Sequence, residues 1–307
     1  MISFKQLLVA IALSTSVTFP AIAETEITPP TFESVISLPA GHFFENLTYL
    51  NKDELIATDY TGMSLYKYHL DGKAKLWAKV DGHPVSLRFG EGGNGLLSVH
   101  EISILEGDSF VNSMALYKIN QGGQLERLIG LDTPAFLNGM AYLGNQEYLI
   151  ADALNGKIYK FDMASNKLSV WLEDTMLQPE KDRPGLPGIN GIQLHEGDLY
   201  FTNSAKQVVG KIDITEGRAG EITVLADDIQ ADDFTIDEKG TWLITTHHHE
   251  VIKYTQDGTK TVVLNHGIDG NTAIQQSTRE DNVFYITNDG GLLFGGEENA
   301  GLHKIAL

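Results

Sequence analysis

Short apolar runs alternate with glycine- and asparagine-rich turns along most of this chain. In the clearest unit, residues 136–162, apolar runs at 140–143 and 148–151 flank a turn, and polar and apolar residues then alternate over 157–161. Alternation with a period of two between such turns is typical of antiparallel strands. With residues 167–172 as a fourth strand, the unit predicts one blade of a β-propeller.

Five further segments follow the same frame, at the spacing of roughly 40–50 residues expected for one blade. The last unit stops after its third strand, at Leu307, and residues 32–38 have the pattern of the missing outer strand. Pairing them with the last blade would remove an exposed sheet edge. The sequence therefore predicts an all-β fold over residues 24–307: one six-bladed propeller of four-stranded antiparallel blades, closed by an N-terminal strand.

Residues 1–23 have the features of a cleaved signal peptide. A lysine precedes a short apolar run at 7–13, and Ala21 and Ala23 supply the small residues that a signal peptidase requires. The apolar run is too short to span a membrane. The signal peptide predicts a periplasmic or secreted protein. Because the chain has no cysteine for disulfides, a bacterial periplasm suits it best.

The charge balance narrows the class of partner. Of the 307 residues, 41 are Asp or Glu and 22 are Lys or Arg, which gives a formal net charge of −19. This excess argues against nucleic acid and anionic membranes as partners, and solubility is the favoured explanation of the excess itself. A small-molecule substrate or ligand is expected, and a protein partner stays open.

Propeller geometry predicts which polar residues meet. First strands should open on one channel mouth, with the opening residues Glu45, His83, Asn138, Asn190, Asp232 and Asn271. Second strands should return to the same face, with the strand-end residues Asp59, His100, Asp152, Asn203, His247 and Asn288. The longest inserts, at 101–112 and 174–188, fall on this face, where binding function usually lies.

Four opening residues suggest a metal site. Glu45 and Asp232 supply carboxylates, and Asn138 and Asn190 supply amide oxygens, the donor set that Ca²⁺ prefers. Mg²⁺, Mn²⁺ or Zn²⁺ would also fit. Each residue alone could simply serve a turn, but four oxygen donors in register favour a divalent cation.

Other polar residues near this mouth are candidates for substrate binding and proton transfer. Asn138, Asn271, Asp152 and Asn203 are predicted substrate contacts; His100 and His247, together with Asp232, are the predicted catalytic residues. The run 247–249 of three histidines is a weak zinc motif, because structural zinc sites want four Cys or His ligands.

The motifs at Glu45, Asn138–Gly139, Asn190–Gly191 and Asp232 resemble those of the six-bladed propeller family of gluconolactonase, regucalcin and luciferin-regenerating enzyme. The resemblance implies that Glu45, Asn190 and Asp232 bind a metal, with Asn138 as a further ligand or a substrate contact. It also implies that Asp232 acts as base or nucleophile. Asp233 stands where this family commonly has Gly, and no Arg is placed for a sugar acid.

Two functions follow as hypotheses. The first is an exported metal-dependent hydrolase that acts on a lactone or related ester, with a divalent cation in the central channel. The alternative is a non-catalytic propeller whose cation is structural and whose top face binds a small ligand or a protein.

Overall fold

Six four-stranded antiparallel sheets form the computed structural model, which describes residues 30–307. The predicted signal peptide, residues 1–23, lies outside the described residues. Within residues 30–307, no helix is long and apolar enough to cross a membrane. The predicted six-bladed propeller is confirmed.

Each blade uses consecutive strands, except that the sixth takes its outer strand, β1 (Thr31–Leu38), from the beginning of the described chain. Blade 1 comprises β2 (Phe44–Asn51), β3 (Glu54–Asp59), β4 (Ser64–His69) and β5 (Lys73–Lys79). Blade 2 comprises β6 (His83–Phe89), β7 (Gly95–His100), β8 (Met114–Ile119) and β9 (Leu125–Gly130). Blade 3 comprises β10 (Leu137–Gly144), β11 (Glu147–Asp152), β12 (Lys157–Asp162) and β13 (Lys167–Glu173).

The second half of the ring follows the same scheme. Blade 4 comprises β14 (Ile189–His195), β15 (Asp198–Asn203), β16 (Val208–Thr215) and β17 (Arg218–Ala226). Blade 5 comprises β18 (Phe234–Ile236), β19 (Trp242–Thr245), β20 (Val251–Tyr254) and β21 (Lys260–Leu264). Blade 6 comprises β22 (Asn271–Gln276), β23 (Val283–Asn288) and β24 (Ala300–Ala306). Short 3₁₀ turns lie at Glu91–Gly93, Ile104–Glu106, Asp108–Asn112, Thr175–Leu177 and Leu292–Phe294.

The ring is closed by β1. It pairs antiparallel with β24, from Thr31 opposite Ala306 to Leu38 opposite Ala300. The predicted closing strand, residues 32–38, is therefore confirmed. Ile36 on this strand is buried in the apolar cluster between blades 6 and 1, so β1 both covers the edge of β24 and completes an interface between blades.

Second-strand hydroxyl groups link neighbouring blades near the channel. Thr58 Oγ1 accepts the backbone N–H of Asn46 in its own blade and donates to Val85 O of the next blade at 3.0 Å. The corresponding bonds from Thr202 to Asp232 O and from Thr245 to Thr272 O are both 2.6 Å. One buried hydroxyl thus pairs with an N–H group of the first strand in its own blade and with a carbonyl oxygen in the next blade. These two bonds fix the position of one blade relative to the next at the channel.

Blade 3 replaces this hydroxyl with close backbone packing. Ala151 stands at the hydroxyl position, and Gly139 lies against blade 4 so closely that a Cβ there would be 2.2 Å from Asn190 O. Such an approach excludes every other residue type. Gly139 therefore allows blade 3 to pack closely against blade 4, and the side chain of Asn138 remains available at the channel.

Replacing Ile36 with Ala should lower the free energy of unfolding by about 2–5 kcal/mol, because it leaves a cavity in the interface that closes the ring. Denaturant titration followed by circular dichroism measures this loss. Phe32→Ala is the matched control, since Phe32 is on the same strand but 45% exposed. Equal losses in the two variants would contradict a packed closing strand.

The contact of β1 with β24 should also depend on pH. His303 is buried, donates from Nε2 to Asn288 Oδ1 at 3.0 Å and accepts the Ser34 hydroxyl at Nδ1, also at 3.0 Å. Burial lowers the pKa of His303 to about 4. As the pH falls, the unfolded chain therefore binds a proton at His303 at a higher pH than the folded chain does. The contribution of His303 to stability is complete above pH ~6.5 and is lost as the pH falls toward 4.

Between pH 7 and pH 5 this loss amounts to roughly 2 kcal/mol from His303 alone. His303→Gln should be less stable at pH 7 and lose correspondingly less stability over this range, as measured by denaturant titration at both pH values. The exposed His266→Gln serves as control and should keep the wild-type slope. A wild-type slope in His303→Gln would rule out this role of His303.

Candidate functional site

The hydrogen-bond register defines which residues are equivalent at the channel mouth. In blades 1, 3 and 4 the residue before the mouth position pairs with the end of the second strand: Phe44 with Asp59, Leu137 with Asp152 and Ile189 with Asn203. In blades 2, 5 and 6 the second-strand hydroxyl identifies the position. The resulting mouth ring consists of Glu45, Val85, Asn138, Asn190, Asp232 and Thr272.

Four of the six predicted opening residues, the four proposed oxygen donors, belong to this ring. The other two, His83 and Asn271, lie two residues and one residue before it. Their blades have Val85 and Thr272 at the mouth, so these two blades add no carboxylate or amide there. In blade 5 the ring residue is Asp232 and not its neighbour Asp233, because the N–H of Asp233 bonds to Thr245 Oγ1 at 3.1 Å.

A second set of equivalent positions follows two residues after the second-strand hydroxyl. This outer ring consists of Tyr60, His100, Ala153, Ser204, His247 and Asp289. The sequence prediction reached it only at His100 and His247. In the other blades the predicted strand-end residue is one position earlier, and side chains of successive strand residues point to opposite faces.

Three predicted substrate contacts hold loops instead. Asp152 Oδ1 accepts the N–H groups of Phe136, Leu154 and Asn155, and Asn203 donates to the carbonyl oxygens of Met176 and Gln178. Asn271 spans the loop after β19 by bonding to Thr246 N and Glu250 O. These three side chains do not line the cavity described next, so their role is to shape the loops that surround it.

A cavity of about 380 Å³ opens over the mouth ring. Its base contains the four predicted metal-binding residues, which the structure therefore brings to one place: Glu45, Asn138, Asn190 and Asp232. Its walls come from the loops after β7, β13 and β23 and from the residues that precede β2 and β10. A rigid polar base thus lies beneath walls built from several loops.

Asp232 is held from two sides. Asn190 Nδ2 donates to its Oδ1 at 2.5 Å, and His247 Nδ1 lies 2.9 Å from its Oδ2. Asn190 Nδ2 also lies 3.0 Å from Ser204 Oγ, which donates to Ala231 O. Asp232 is 8% exposed, so its carboxylate has a fixed orientation at the base of the cavity.

His247 bridges two carboxylates. Its second nitrogen, Nε2, lies 3.3 Å from Oδ2 of the fully buried Asp289. Burial alone would lower the pKa of His247, but Asp232 and Asp289 outweigh burial, and the pKa of His247 lies well above its ordinary value. Asp232 and Asp289 therefore favour the protonated form of His247, in which both ring nitrogens donate.

Asp289 is the residue that the sequence prediction missed. It accepts the N–H groups of Gly291 and Leu293 at the 3₁₀ turn Leu292–Phe294. A sequence signal for it exists, since Asp289 follows Thr287 by two residues, as His247 follows Thr245. The prediction instead took Asn288, which bonds to carbonyl oxygens in neighbouring loops.

His100 is enclosed by aromatic side chains. Its Nε2 donates to Leu137 O at 3.2 Å, so its Nδ1 accepts the Tyr60 hydroxyl at 3.1 Å. Burial lowers the pKa of His100 to about 3. The imidazole is therefore neutral, and both of its nitrogens are engaged by the protein, which favours a structural role over proton transfer.

The run of three histidines does not act as one unit. His248 bonds to Gln230 at 2.8 Å, and His249 contacts Asp269, whereas His247 lies between Asp232 and Asp289. The three imidazoles thus have separate partners.

Glu45 has a buried carboxylate oxygen with unused hydrogen-bonding capacity, as is expected of a ligand-binding residue. Its Oε2 is buried and has no hydrogen-bond partner within the described residues. Burial and then the negative charge of Asp232 raise the pKa of Glu45 well above its ordinary value. An unpaired buried carboxylate oxygen is costly unless a proton or a cation reaches it.

The donor set of the cavity base suits a hard cation. Three carboxyl groups, those of Glu45, Asp232 and Asp289, lie around the single imidazole of His247. Among residues 30–307, no three His, Cys, Asp or Glu side chains are grouped closely enough to hold a metal by themselves. A cation bound here must therefore also use the amide oxygens of Asn138 or Asn190, together with water, as Ca²⁺ commonly does.

Comparisons with known proteins bear on the fold. The sequence matches no family model and no curated protein sequence. Its structure is similar to that of luciferin-regenerating enzyme, with 14% identity over 91% of this chain and 95% of that chain and a TM-score of 0.69.

Two further solved structures have the same fold. Regucalcin from Agrobacterium tumefaciens, described as a calcium-binding protein, has 14% identity over 91% of this chain and 94% of that chain, with a TM-score of 0.66. A gluconolactonase from Xanthomonas campestris has 12% identity over 90% of this chain and 98% of that chain, with a TM-score of 0.61. The structural resemblance that the sequence predicted, to the six-bladed propellers of gluconolactonase, regucalcin and luciferin-regenerating enzyme, is therefore confirmed.

Proposed function

We propose that this protein is a metal-dependent hydrolase that opens a lactone or cleaves a related ester. The observation that carries this proposal is Glu45 Oε2, which is buried beside Asp232 at the base of a cavity and has no hydrogen-bond partner within residues 30–307. Two buried acidic side chains that face a cavity lower the stability of the metal-free fold. Together with two amides, they provide the oxygen ligands that a cation needs.

Glu45, Asp232, Asn138 and Asn190 would hold the cation, and Ca²⁺ is the ion that this all-oxygen set fits best. Mg²⁺, Mn²⁺ and Zn²⁺ are the alternatives for the assay. The similar regucalcin structure, described as calcium-binding, supports the choice of Ca²⁺. When bound, a divalent cation polarises a carbonyl oxygen and lowers the pKa of bound water.

The chain's own residues would orient the substrate and move the proton. Asn138 is the side chain at the base best suited to orient the carbonyl group, because Asn190 is already bonded to Asp232. Asp232 accepts the proton that water loses as it adds to the acyl carbon. His247 Nδ1, 2.9 Å from Asp232 Oδ2, holds a proton next to that carboxylate.

The reaction is balanced without a further reactant. One bond forms between the water oxygen and the acyl carbon, and the ring C–O bond breaks. The proton that water loses ends on the departing alkoxide, which gives a hydroxy acid. Asp289 keeps the His247 ring in place through Nε2, as a carboxylate commonly orients a catalytic imidazole.

A second candidate is a non-catalytic propeller whose cation is structural and whose cavity binds a small ligand. One observation favours it: both carboxylate oxygens of Asp232 already have protein partners, Asn190 and His247. Under this hypothesis the cation stabilises the ring, and removing the charge of Asp232 affects stability more than any turnover.

For localisation and partners, we propose an exported protein that acts on a small molecule. The sequence features of residues 1–23 support export to the periplasm or the medium. The acidic composition disfavours nucleic acid and anionic membranes.

Added Ca²⁺ should stabilise the metal-free protein. A cation that binds only the folded state adds about 2.7 kcal/mol at a hundredfold excess over Kd, so the melting temperature should rise with Ca²⁺ and fall again with chelator. Glu45→Gln should lose most of this response, whereas Glu126→Gln, on exposed β9, should keep it. No response in protein shown by elemental analysis to be metal-free would exclude the cation site.

Asp232→Asn distinguishes the two candidates. In a hydrolase, turnover of a lactone and aryl-ester panel at saturating Ca²⁺ should fall about 10²–10⁴-fold, because the carboxylate acts as a base as well as a ligand. Asp233→Asn is the matched control, one residue away and buried near Arg88, and should retain turnover. If saturating Ca²⁺ restores full function to Asp232→Asn, the carboxylate is only a ligand.

A further inference from the structure

We propose that the substrate is an uncharged lactone or ester that carries an alkyl or aryl group, and not a sugar lactone or an anion. This inference rests on the proposed function, which it deepens by naming the substrate class. It is drawn from the walls of the cavity, whereas the hydrolase proposal is drawn from its base.

The walls are apolar on several sides. Phe110, from the loop after β7, packs edge-to-face on Phe136 with ring centroids 5.3 Å apart. Leu105 from the same loop and Phe294 from the loop after β23 complete the rim, and Leu186 and Pro187 lie in the loop after β13. Three independent loops thus place apolar side chains around one opening.

Two of these side chains extend into open space. Leu105 is 56% exposed and Phe294 is 57% exposed, although both border the cavity. Large apolar side chains that remain in water around a concave site mark a surface that an apolar ligand group would cover. Burial against such a group would gain about 25 cal/mol for each Å² removed from water.

The polar wall residues already have partners in the protein. Ser204 donates to Ala231 O, Gln230 bonds to His248, and Thr246 donates to Glu250 O. A sugar lactone would bring several hydroxyl groups into the cavity and find few free partners for them. Each unpaired hydroxyl would cost binding energy, so the walls discriminate against polyhydroxylated substrates.

The charge of the side chains that line the cavity disfavours anions. Among the described residues that line it there is no Lys or Arg, whereas Glu45 and Asp232 are acidic. Arg183, in a wall loop, donates to Ala205 O and is not part of the lining. A carboxylate or phosphate on the substrate would therefore meet no Lys or Arg at the rim, and His247 in the lining is already paired with Asp232 and Asp289, which favours uncharged substrates.

The test measures kcat/KM for γ-butyrolactone, γ-hexalactone, γ-octalactone and δ-gluconolactone with the Ca²⁺-loaded protein. Each methylene or methyl group that the walls bury should raise kcat/KM about fourfold, so γ-octalactone, with four more carbons, should exceed γ-butyrolactone by about 250-fold, and δ-gluconolactone should be the poorest. The double variant Leu105→Ser/Phe294→Ser should lower the ratio of γ-octalactone to γ-butyrolactone about tenfold. Val170→Ser, which changes an equally exposed residue on β13, should keep the wild-type ratio.

The outcomes separate this inference from the hydrolase proposal. Turnover without chain-length dependence, or with δ-gluconolactone preferred, overturns the substrate class and leaves the hydrolase intact. If no lactone or ester is hydrolysed, the hydrolase fails, and calorimetric binding of uncharged 5-alkyl-2-pyrrolidinones then decides the ligand class. Affinity that rises with chain length and falls in the double variant supports an apolar ligand, and affinity independent of chain length overturns it.

Discussion

The hydrogen bond from a second-strand hydroxyl to the next blade is the interaction on which the site depends. Thr202 Oγ1 lies 2.6 Å from the backbone oxygen of Asp232 itself. The residue that carries the key carboxylate is therefore held through its own main chain by blade 4, while Thr245 holds Asp233 within blade 5. Because these bonds prevent the blades from rotating relative to one another, the side chains of the mouth ring converge on the channel.

The same rigidity explains how an acidic cluster survives inside the fold. Glu45, Asp232 and Asp289 would repel one another and could separate only if the blades moved apart. Apolar clusters between all neighbouring blades prevent this. His247, between Asp232 and Asp289, offsets part of this repulsion when it is protonated. Acidic groups held close together in a cavity are characteristic of binding sites.

Much of this fold was predictable because its signals are local. Alternation and turns gave six units, and an incomplete last unit predicted the β1–β24 pairing. The mouth ring was predictable where the mouth residue has a carboxylate or amide side chain. In blades 2 and 6, where Val85 and Thr272 occupy the ring, the prediction fell on the nearby polar residues His83 and Asn271. Asp289 was missed because the prediction placed the strand-end residue one position too early, at Asn288, as it did in blades 1, 3 and 4. Counting two residues onward from Thr58, Thr245 and Thr287 would have found the outer ring.

Chemistry and specificity are carried by different parts of this molecule. The residues at the base of the cavity belong to the first strands or to the residues directly before them. Hydroxyl hydrogen bonds and close glycine contacts fix these segments in place, and Gly139 tolerates no larger side chain. The walls come from loops of unequal length that connect strands of the rigid blades. Substituting Leu105 or Phe294 therefore leaves the mouth ring unaltered, while the character of the cavity changes from apolar to polar. A propeller of this kind can change its substrate through its loops without rebuilding its reactive base.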